Sequence, residues 1–154
     1  MHSVCFVCLG NICRSPMAEA VLRHLVAGRH DVADWRIDSA GTGDWHVGEP
    51  PHRRTIGACQ RHQVSIDHAA RQVTAADFQA FSWLLAMDRQ NLRDLRRFPP
   101  GLAQLCLLGD FDPQGVIDVP DPYSSDGDAL YEQVFYQVER SCRGFLAAIP
   151  DRSH

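Results

Sequence analysis

Near its start the chain reads Val4-Cys5-Phe6-Val7-Cys8-Leu9-Gly10-Asn11-Ile12-Cys13-Arg14-Ser15-Pro16. The apolar half of this stretch predicts a short strand, and Ser15 and Pro16 predict the start of a helix, as N-cap and first helical residue. The chain must turn tightly between the two elements, which Gly10 and Asn11 allow because both residues accept a left-handed conformation. Backbone N–H groups converge where a helix begins, so the turn is expected to bind an anion such as phosphate.

Cys8 and Arg14 stand at the two ends of this turn and indicate its chemistry. A thiol has a pKa of about 8.5, and a helix N-terminus, a nearby arginine and a hydroxyl such as that of Ser15 all stabilise its thiolate. Arg14 stays charged, and its planar guanidinium can bind two phosphoryl oxygens at once. The Cys-x5-Arg spacing alone is a weak signal, but the strand before it and the helix after it strengthen it. The turn is therefore predicted to hold a nucleophile and a phosphate clamp.

The rest of the chain predicts strands and helices in alternation. Strands are predicted at residues 4–9, 35–40, 82–87 and 104–108, with a short extended piece at 64–67. Helices are predicted at residues 16–28, 51–62, 74–81, 88–97 and 126–149, and long loops at 41–50 and 109–123. This order predicts an α/β fold, a single domain over residues 1–154 with a four-stranded parallel sheet and helices on both faces. Sites in such sheets lie at the carboxyl ends of the strands, where Cys8 falls.

Residues 7–16 resemble the phosphate-binding loop of the low-molecular-weight protein tyrosine phosphatases. Further stretches resemble that family in the same order and spacing: Ile37-Asp38-Ser39-Ala40, Asp44-Trp45-His46-Val47-Gly48, His68-Ala69-Ala70-Arg71-Gln72-Val73-Thr74, Met87-Asp88, Asn91-Leu92 and Asp121-Pro122-Tyr123. The resemblance covers nearly the whole chain. It implies a three-layer α/β/α fold and metal-independent hydrolysis of protein phosphotyrosine and small aryl phosphates through a phosphocysteine, with inorganic phosphate as product and no cofactor.

The resemblance also implies a role for each residue around the loop. Cys8 is the nucleophile, Arg14 the phosphate clamp and Asp121 the general acid and base, as a phenolate leaving group requires a proton. The other residues of the phosphate-binding loop are Leu9, Gly10, Asn11, Ile12, Cys13 and Ser15. Cys13 is also expected to form a reversible disulfide with Cys8 under oxidation.

Residues outside the loop are expected to support it or to line the cleft. By resemblance, Ser39 and His68 support the loop through hydrogen bonds to Asn11 and Ser15. Trp45, His46 and Tyr123 line the substrate cleft, and Trp45 and Tyr123 sandwich the substrate ring above Leu9 and Ile12. The pair Arg53-Arg54 is predicted to form a solvated face.

Several alternatives stay open at this stage. Asp118 competes with Asp121 as the acid. An arsenate reductase of the thiol-relay type shares this loop, but it carries further redox cysteines after the third strand, and residues 88–97 contain none. A phosphoarginine phosphatase usually has Thr at the position of Ile12, so Ile12 favours phosphotyrosine without settling the choice. A non-catalytic phosphopeptide-binding module is expected to lack Cys8 or Asp121.

The cysteines also allow a metal hypothesis. Cys5, Cys8, Cys59 and His62 have the spacing of a zinc site. Cys5, however, should point into the core from its strand, and residues 59–62 fall on a separate helix. Four cysteines are therefore predicted to be small core hydrophobes, Cys5, Cys59, Cys106 and Cys142.

Composition limits the class of protein and its compartment. A chain of 154 residues with 45% hydrophobic content suits one folded domain with one core. Six irregularly spaced cysteines without a signal peptide favour free thiols and a cytoplasmic location. The chain has no lysine, which excludes a Schiff-base lysine and a Gly-Lys-Ser/Thr nucleotide loop.

Charge and length also limit the partners. The net charge of −4 argues against nucleic-acid binding, and the apolar start is too short to span a membrane. The expected partners are phosphotyrosine proteins or peptides, and the expected state is a monomer or weak homodimer.

Overall fold

A computed structural model describes residues 1–149. The strands are β1 His2–Cys8, β2 Trp35–Gly41, β3 Trp83–Ala86 and β4 Gln104–Leu107. The α-helices are α1 Arg14–Val26, α2 Arg53–Arg61, α3 Asp77–Ala80, α4 Arg89–Leu95 and α5 Ala129–Ala148. Short 3₁₀ turns occur at Val32–Asp34 and Leu108–Phe111. Residues 150–154 of the predicted domain lie outside the described part.

The four strands form one parallel sheet in the order β2-β1-β3-β4. Strand β1 is central, and its last residue, Cys8, pairs with Gly41 at the end of β2. On the other side, the Met87 N–H beyond β3 donates to the Val7 carbonyl at 3.0 Å. The carboxyl ends of the three strands therefore meet at the turn after Cys8, and the predicted parallel sheet is confirmed.

Helices cover both faces of the sheet, which confirms the three-layer arrangement. Alternate residues of β1 point to opposite faces, and Val4, Cys5, Phe6 and Val7 are all completely buried. Val4 and Phe6 pack in a cluster with α1 and α5, whereas Cys5 and Val7 pack in a second cluster with α3 and α4. The sheet thus separates two apolar clusters, where composition had suggested one core.

The start of α1 differs from the prediction. The helix begins at Arg14, with Cys13 in the N-cap position and no side chain capping it. Ser15 is therefore inside the first turn and Pro16 is the third helical residue, so both capping assignments were wrong. The reason is that the Ser15 hydroxyl has buried polar partners in Cys8 and Asn11. The uncapped first turn keeps its N–H groups available to an anion.

Other helix ends also shift. Helix α2 begins at Arg53, because the Nδ1 atom of His52 accepts a hydrogen bond from the Arg54 N–H at 3.1 Å and caps the helix. The helix predicted from residue 74 begins only at Asp77, whose carboxylate accepts a hydrogen bond from the Thr74 N–H at 2.9 Å. Between residues 1 and 149, no helix has the length and apolar character needed to cross a membrane.

Candidate active site

The turn between β1 and α1 forms the floor of a pocket of about 250 Å³. Sequence reasoning had named all the residues that line this pocket: Cys8, Leu9, Gly10, Ile12, Cys13, Arg14, Trp45, His46, Asp121 and Tyr123. They come from three separate regions of the chain. The pocket therefore exists only because the sheet brings the β1, β2 and residue 109–123 loops to one edge.

Cys8 lies at the bottom of this pocket, with two hydrogen-bond donors directed at its sulfur. The Asn11 N–H donates to Cys8 Sγ at 3.3 Å, and the Ser15 hydroxyl lies 3.0 Å from the same atom. Asn11 takes the expected left-handed conformation, with φ of 57°. Its side-chain amide donates to Ser15 Oγ at 2.8 Å, which leaves the Ser15 proton free to point at Cys8. This geometry favours a thiolate.

Behind the loop, a buried network fixes the Asn11 side chain. The amide donates to Ser39 Oγ at 3.0 Å, and its oxygen accepts from His68 Nε2 at 2.7 Å. Ser39 in turn donates to Glu19 at 2.7 Å, and His68 Nδ1 lies 3.1 Å from the same carboxylate oxygen. Burial acts to raise the pKa of Glu19, but the hydrogen bonds from His68 and Ser39 outweigh it and hold this pKa below its usual value. Ser39 and His68 thus both bind Asn11, as the resemblance predicted, but the predicted bonds to Ser15 do not form, because its hydroxyl binds Cys8 and Asn11 instead.

Sequence reasoning missed Glu19. The available signal was a carboxylate in the middle of a buried helical stretch, since Glu19 is only 4% exposed between Ala18 and Ala20. Charged residues are almost never fully buried without a partner. A buried glutamate one turn after Ser15 could therefore have indicated a partner behind the loop.

Arg14 is fixed from outside the loop. It is 2% exposed, and its Nη1 donates to Asp88 Oδ2 at 2.6 Å and to the Val119 carbonyl at 3.0 Å. Burial acts to lower the Arg14 pKa, but the Cys8 charge and the Asp88 hydrogen bond raise it above its usual value. Asp88 had no predicted role, although Met87-Asp88 was part of the resemblance. Its carboxylate both caps α4 and orients the guanidinium.

The two acid candidates lie in different places. Asp121 lines the pocket, with Oδ2 at 3.7 Å from Arg14 Nη2 and Oδ1 accepting from the Tyr123 N–H at 3.1 Å. Asp118 does not line the pocket; it faces a neighbouring open groove, which Asp121 also lines, and Arg89 binds its carboxylate there. Burial acts to raise the Asp118 pKa, but the hydrogen bonds from Arg89 keep it below its usual value. Only Asp121 of the two is within reach of a leaving group in the pocket.

Aromatic and histidine side chains form the pocket rim. Trp45 is 68% exposed and Tyr123 is 51% exposed, so neither is a core aromatic. The Tyr123 ring lies between His46 and His52, with ring centroids at 5.8 and 5.9 Å. His46 is held in turn by a hydrogen bond from Nδ1 to Glu49. The rim can therefore contact the flat ring of an aryl phosphate.

The remaining cysteines do not form a metal site. Cys13 lines the pocket, and burial raises the pKa of its thiol to about 11. Cys5 packs on the opposite face of β1 from Cys8, and His62 instead binds Glu132 and stacks on Phe135. Within residues 1–149, the one group of three or more metal-ligating side chains in mutual reach is Glu19, Asp38 and His68. The zinc hypothesis was therefore wrong.

The six cysteines are unpaired. Of the predicted core cysteines, Cys5, Cys59 and Cys142 are completely buried. Cys106 is only half-buried, because it lies on the edge strand β4. Of the pair predicted to be solvated, Arg53 is exposed, whereas Arg54 binds Asp128 at 3.1 Å.

Comparison with known proteins gives consistent results. A family model described as "Low molecular weight phosphotyrosine protein phosphatase" matches residues 3–153. A human protein of that name is 46% identical over 148 residues, covering 94% of this chain and 93% of its own. The crystal structure of YfkJ from Bacillus subtilis has a TM-score of 0.89 at 39% identity and covers 100% of this chain and 98% of its own. A Drosophila arginine phosphatase has a TM-score of 0.90 at 35% identity, covering 97% and 99% of the two chains.

Proposed function

The chain belongs to the low molecular weight phosphotyrosine protein phosphatase family, and from this premise we propose how its own residues perform the reaction. The protein is a phosphatase that hydrolyses phosphotyrosine and releases inorganic phosphate. The observation that supports the residue roles is the meeting of Cys8, Arg14 and Asp121 in one pocket.

In the first step, the Cys8 thiolate attacks phosphorus and the bond from phosphorus to the tyrosine oxygen breaks. Arg14 and the N–H groups of the loop stabilise the equatorial oxygens. Asp121 donates its proton to the leaving phenol oxygen. The position of Asp121 at the pocket rim, 3.7 Å from Arg14, supports this role.

In the second step, Asp121 removes a proton from water, and the water oxygen attacks phosphorus. The phosphorus–sulfur bond breaks, and inorganic phosphate leaves with Cys8 again a thiolate. The donors of Ser15 and Asn11 at 3.0 and 3.3 Å stabilise this leaving thiolate. The same residues therefore serve the formation and the hydrolysis of the phosphocysteine.

The pocket favours an aryl phosphate over phosphoarginine. Ile12 lines its wall and is 7% exposed, which leaves an apolar surface against the substrate. An arginine phosphatase nevertheless shares this fold, so phosphoarginine is the second candidate substrate. The deciding experiment measures kcat/KM on matched phosphotyrosine, phosphoserine and phosphoarginine peptides in EDTA. A preference for phosphoarginine, or a loss of activity in EDTA, would contradict the proposal.

We also propose that Cys13 protects Cys8 from irreversible oxidation through a disulfide. Both thiols line one pocket and belong to one loop, which supports the pairing. Peroxide converts the Cys8 thiolate to a sulfenic acid, and the Cys13 sulfur then displaces its oxygen as water. Equal recovery of the wild type and Cys13→Ser after peroxide and thiol treatment would rule out this role.

Two further proposals concern the setting of the enzyme. Unpaired cysteines support a cytoplasmic location, because thiols stay reduced there. The proposed state is a monomer or weak homodimer, which sedimentation at several protein concentrations tests directly. The proposed partners are phosphotyrosine proteins or peptides.

A further inference from the structure

Asp118, three residues before Asp121, is held by one residue through three hydrogen bonds. The Arg89 N–H donates to Asp118 Oδ1 at 3.0 Å, while Arg89 Nε and Nη2 donate to Oδ2 at 3.1 and 2.9 Å. The Asp118 carbonyl also accepts from Gln137 Nε2 at 3.0 Å. Residue 118 is thus held by α4 through its side chain and by α5 through its backbone carbonyl.

Arg89 is part of a short segment that contacts both catalytic regions. Met87 accepts the Val119 N–H through its carbonyl at 2.9 Å. Asp88 binds Arg14 of the phosphate loop at 2.6 Å, and Arg89 binds Asp118. Three consecutive residues after β3 therefore connect the phosphate clamp to the segment that carries the acid.

Asp121 itself is weakly held. Its side chain is 45% exposed, and its contacts within residues 1–149 are the Tyr123 N–H at 3.1 Å and the Arg14 guanidinium at 3.7 Å. Once substrate binds, the Arg14 guanidinium binds the phosphate group and is less able to hold Asp121. The position of the acid then depends on the backbone between the anchored residues 118 and 119 and the buried Pro122.

We infer that Arg89 and Asp118 are positioning residues that hold Asp121 over the pocket, an inference that rests on the proposed role of Asp121 as general acid. The pair is exposed at 65% and 37%, so it should contribute little to the stability of the fold. Its bidentate geometry and the added backbone bond instead restrict where the segment lies. Small displacements of a catalytic group can greatly reduce a rate.

The test compares leaving groups that need the acid to different degrees. Wild type, Arg89→Gln, Asp118→Asn and the double variant are assayed by pre-steady-state phenol release from a phosphotyrosine peptide and from p-nitrophenyl phosphate. The ratio compared is the rate of phenol release from the phosphotyrosine peptide divided by the rate from p-nitrophenyl phosphate. Either single variant should reduce this ratio by about 5-fold, because only the phosphotyrosine leaving group depends strongly on the acid. The double variant should resemble the singles, since each single variant already breaks the ion pair between the two side chains.

Two matched variants serve as controls. Arg97→Gln removes an exposed arginine just after α4 and should leave the ratio unchanged. Arg89→Lys keeps the charge but loses the bidentate contact, so its ratio should lie between those of Arg89→Gln and the wild type. The amplitude of the p-nitrophenol burst counts the folded, active molecules in every variant.

An unchanged ratio in Arg89→Gln and Asp118→Asn would overturn the inference. Asp121→Asn, run in parallel, separates this failure from failure of the proposed acid. If Asp121→Asn lowers the ratio and the Arg89 and Asp118 variants do not, only the positioning role is wrong. If Asp121→Asn leaves the ratio unchanged, the acid assignment is wrong and the positioning role falls with it.

Discussion

The surroundings of the Cys8 sulfur suit a thiolate and not a hydroxyl group. Its two donors, Ser15 and Asn11, stabilise a thiolate, whereas a serine in the same place would remain a neutral alcohol. We expect Cys8→Ser to lower kcat for p-nitrophenyl phosphate by about 10⁴-fold or more. Inorganic phosphate should still bind, as measured by calorimetry, because Arg14 and the loop are intact.

Cys106→Ser is the matched control for this change. It alters a half-buried cysteine of β4, away from the pocket, and should keep kcat close to that of the wild type. Substantial turnover by Cys8→Ser, in protein shown by mass spectrometry to be free of wild type, would remove Cys8 from the nucleophile role.

Asp121 is the second residue with a separable chemical role. Asp121→Asn keeps size and hydrogen bonding but has no proton to give. Tyrosine has a pKa of about 10, so its phenolate needs that proton, and phosphotyrosine cleavage should slow by about 10²-fold or more. Cleavage of p-nitrophenyl phosphate, a much better leaving group, should slow far less. Equal slowing of the two substrates in pre-steady-state assays would mean that another group is the acid.

Among single residues, those that react could be predicted from the sequence more readily than those that hold them in place. Cys8, Asn11 and Arg14 could be predicted because turn, thiol and guanidinium chemistry are local to one stretch. Asp88 acts on Arg14 across a long distance in the chain, so no local pattern reveals it, whereas Glu19 had one local signal, a carboxylate within a buried helical stretch. Ser15 was misassigned as an N-cap because its buried partners compete for the hydroxyl.

Among the elements, the close approach of β2 to the phosphate loop leaves no room for a side chain. A Cβ atom at Gly41 would lie 2.7 Å from the Leu9 carbonyl oxygen and 3.2 Å from Asn11 Cβ. Gly41→Ala must therefore shift the loop. We expect a loss of about 1–3 kcal/mol in the free energy of unfolding and a fall in kcat/KM of about 10-fold. Urea denaturation and steady-state assays measure the two effects.

Gly28→Ala is the control for Gly41→Ala. Gly28 follows α1, and a Cβ atom there would meet nothing within 4 Å. Its kcat/KM should match the wild type. If Gly41→Ala also has wild-type kinetics, the loop tolerates displacement and the contact between β2 and the loop is not needed for catalysis.

Strands and helices could be predicted where one pattern of apolar residues extends along the segment. Apolar runs identified β1 and β3, which lie inside the parallel sheet with both faces buried, and residue alternation identified the edge strand β2. The first residue of each helix was harder to predict. Helix α2 is capped by His52, a residue outside the usual set of capping side chains, and α5 begins at Ala129 rather than near residue 126. The α2 cap is local, but it comes from a residue type that capping preferences do not include, and no side chain caps the start of α5.

On the scale of the whole molecule, the active site depends on how α5 is joined to the chain after β4. Asp112 follows the second 3₁₀ turn, and its carboxylate accepts two hydrogen bonds from Arg140 of α5 at 3.2 and 3.1 Å. The Asp112 side chain has no exposed surface. The chain from this point leads directly to Asp118 and Asp121. The Asp112–Arg140 pair therefore anchors the start of the segment that carries the acid, residues 112–121, to helix α5.

This ion pair should make stability depend on pH. Burial acts to raise the Asp112 pKa, but the hydrogen bonds from Arg140 and the Gln114 N–H outweigh it and leave the folded pKa below its usual value. The carboxylate thus contributes stability that is fully present above the unfolded pKa of about 3.9 and is lost as pH falls through the lower folded pKa. Asp112→Asn cannot titrate. It should be less stable than the wild type by about 2 kcal/mol at neutral pH, because charged hydrogen bonds are lost.

The difference between the two proteins should shrink in acid. Urea denaturation at a series of pH values from neutral down to about pH 3 measures it, with Asp67→Asn as a control at an exposed residue. Asp67→Asn should keep a small, constant difference from the wild type. For Asp112→Asn, a difference as large at pH 3 as at neutral pH would show that packing, and not the charge of Asp112, anchors α5 to the acid segment.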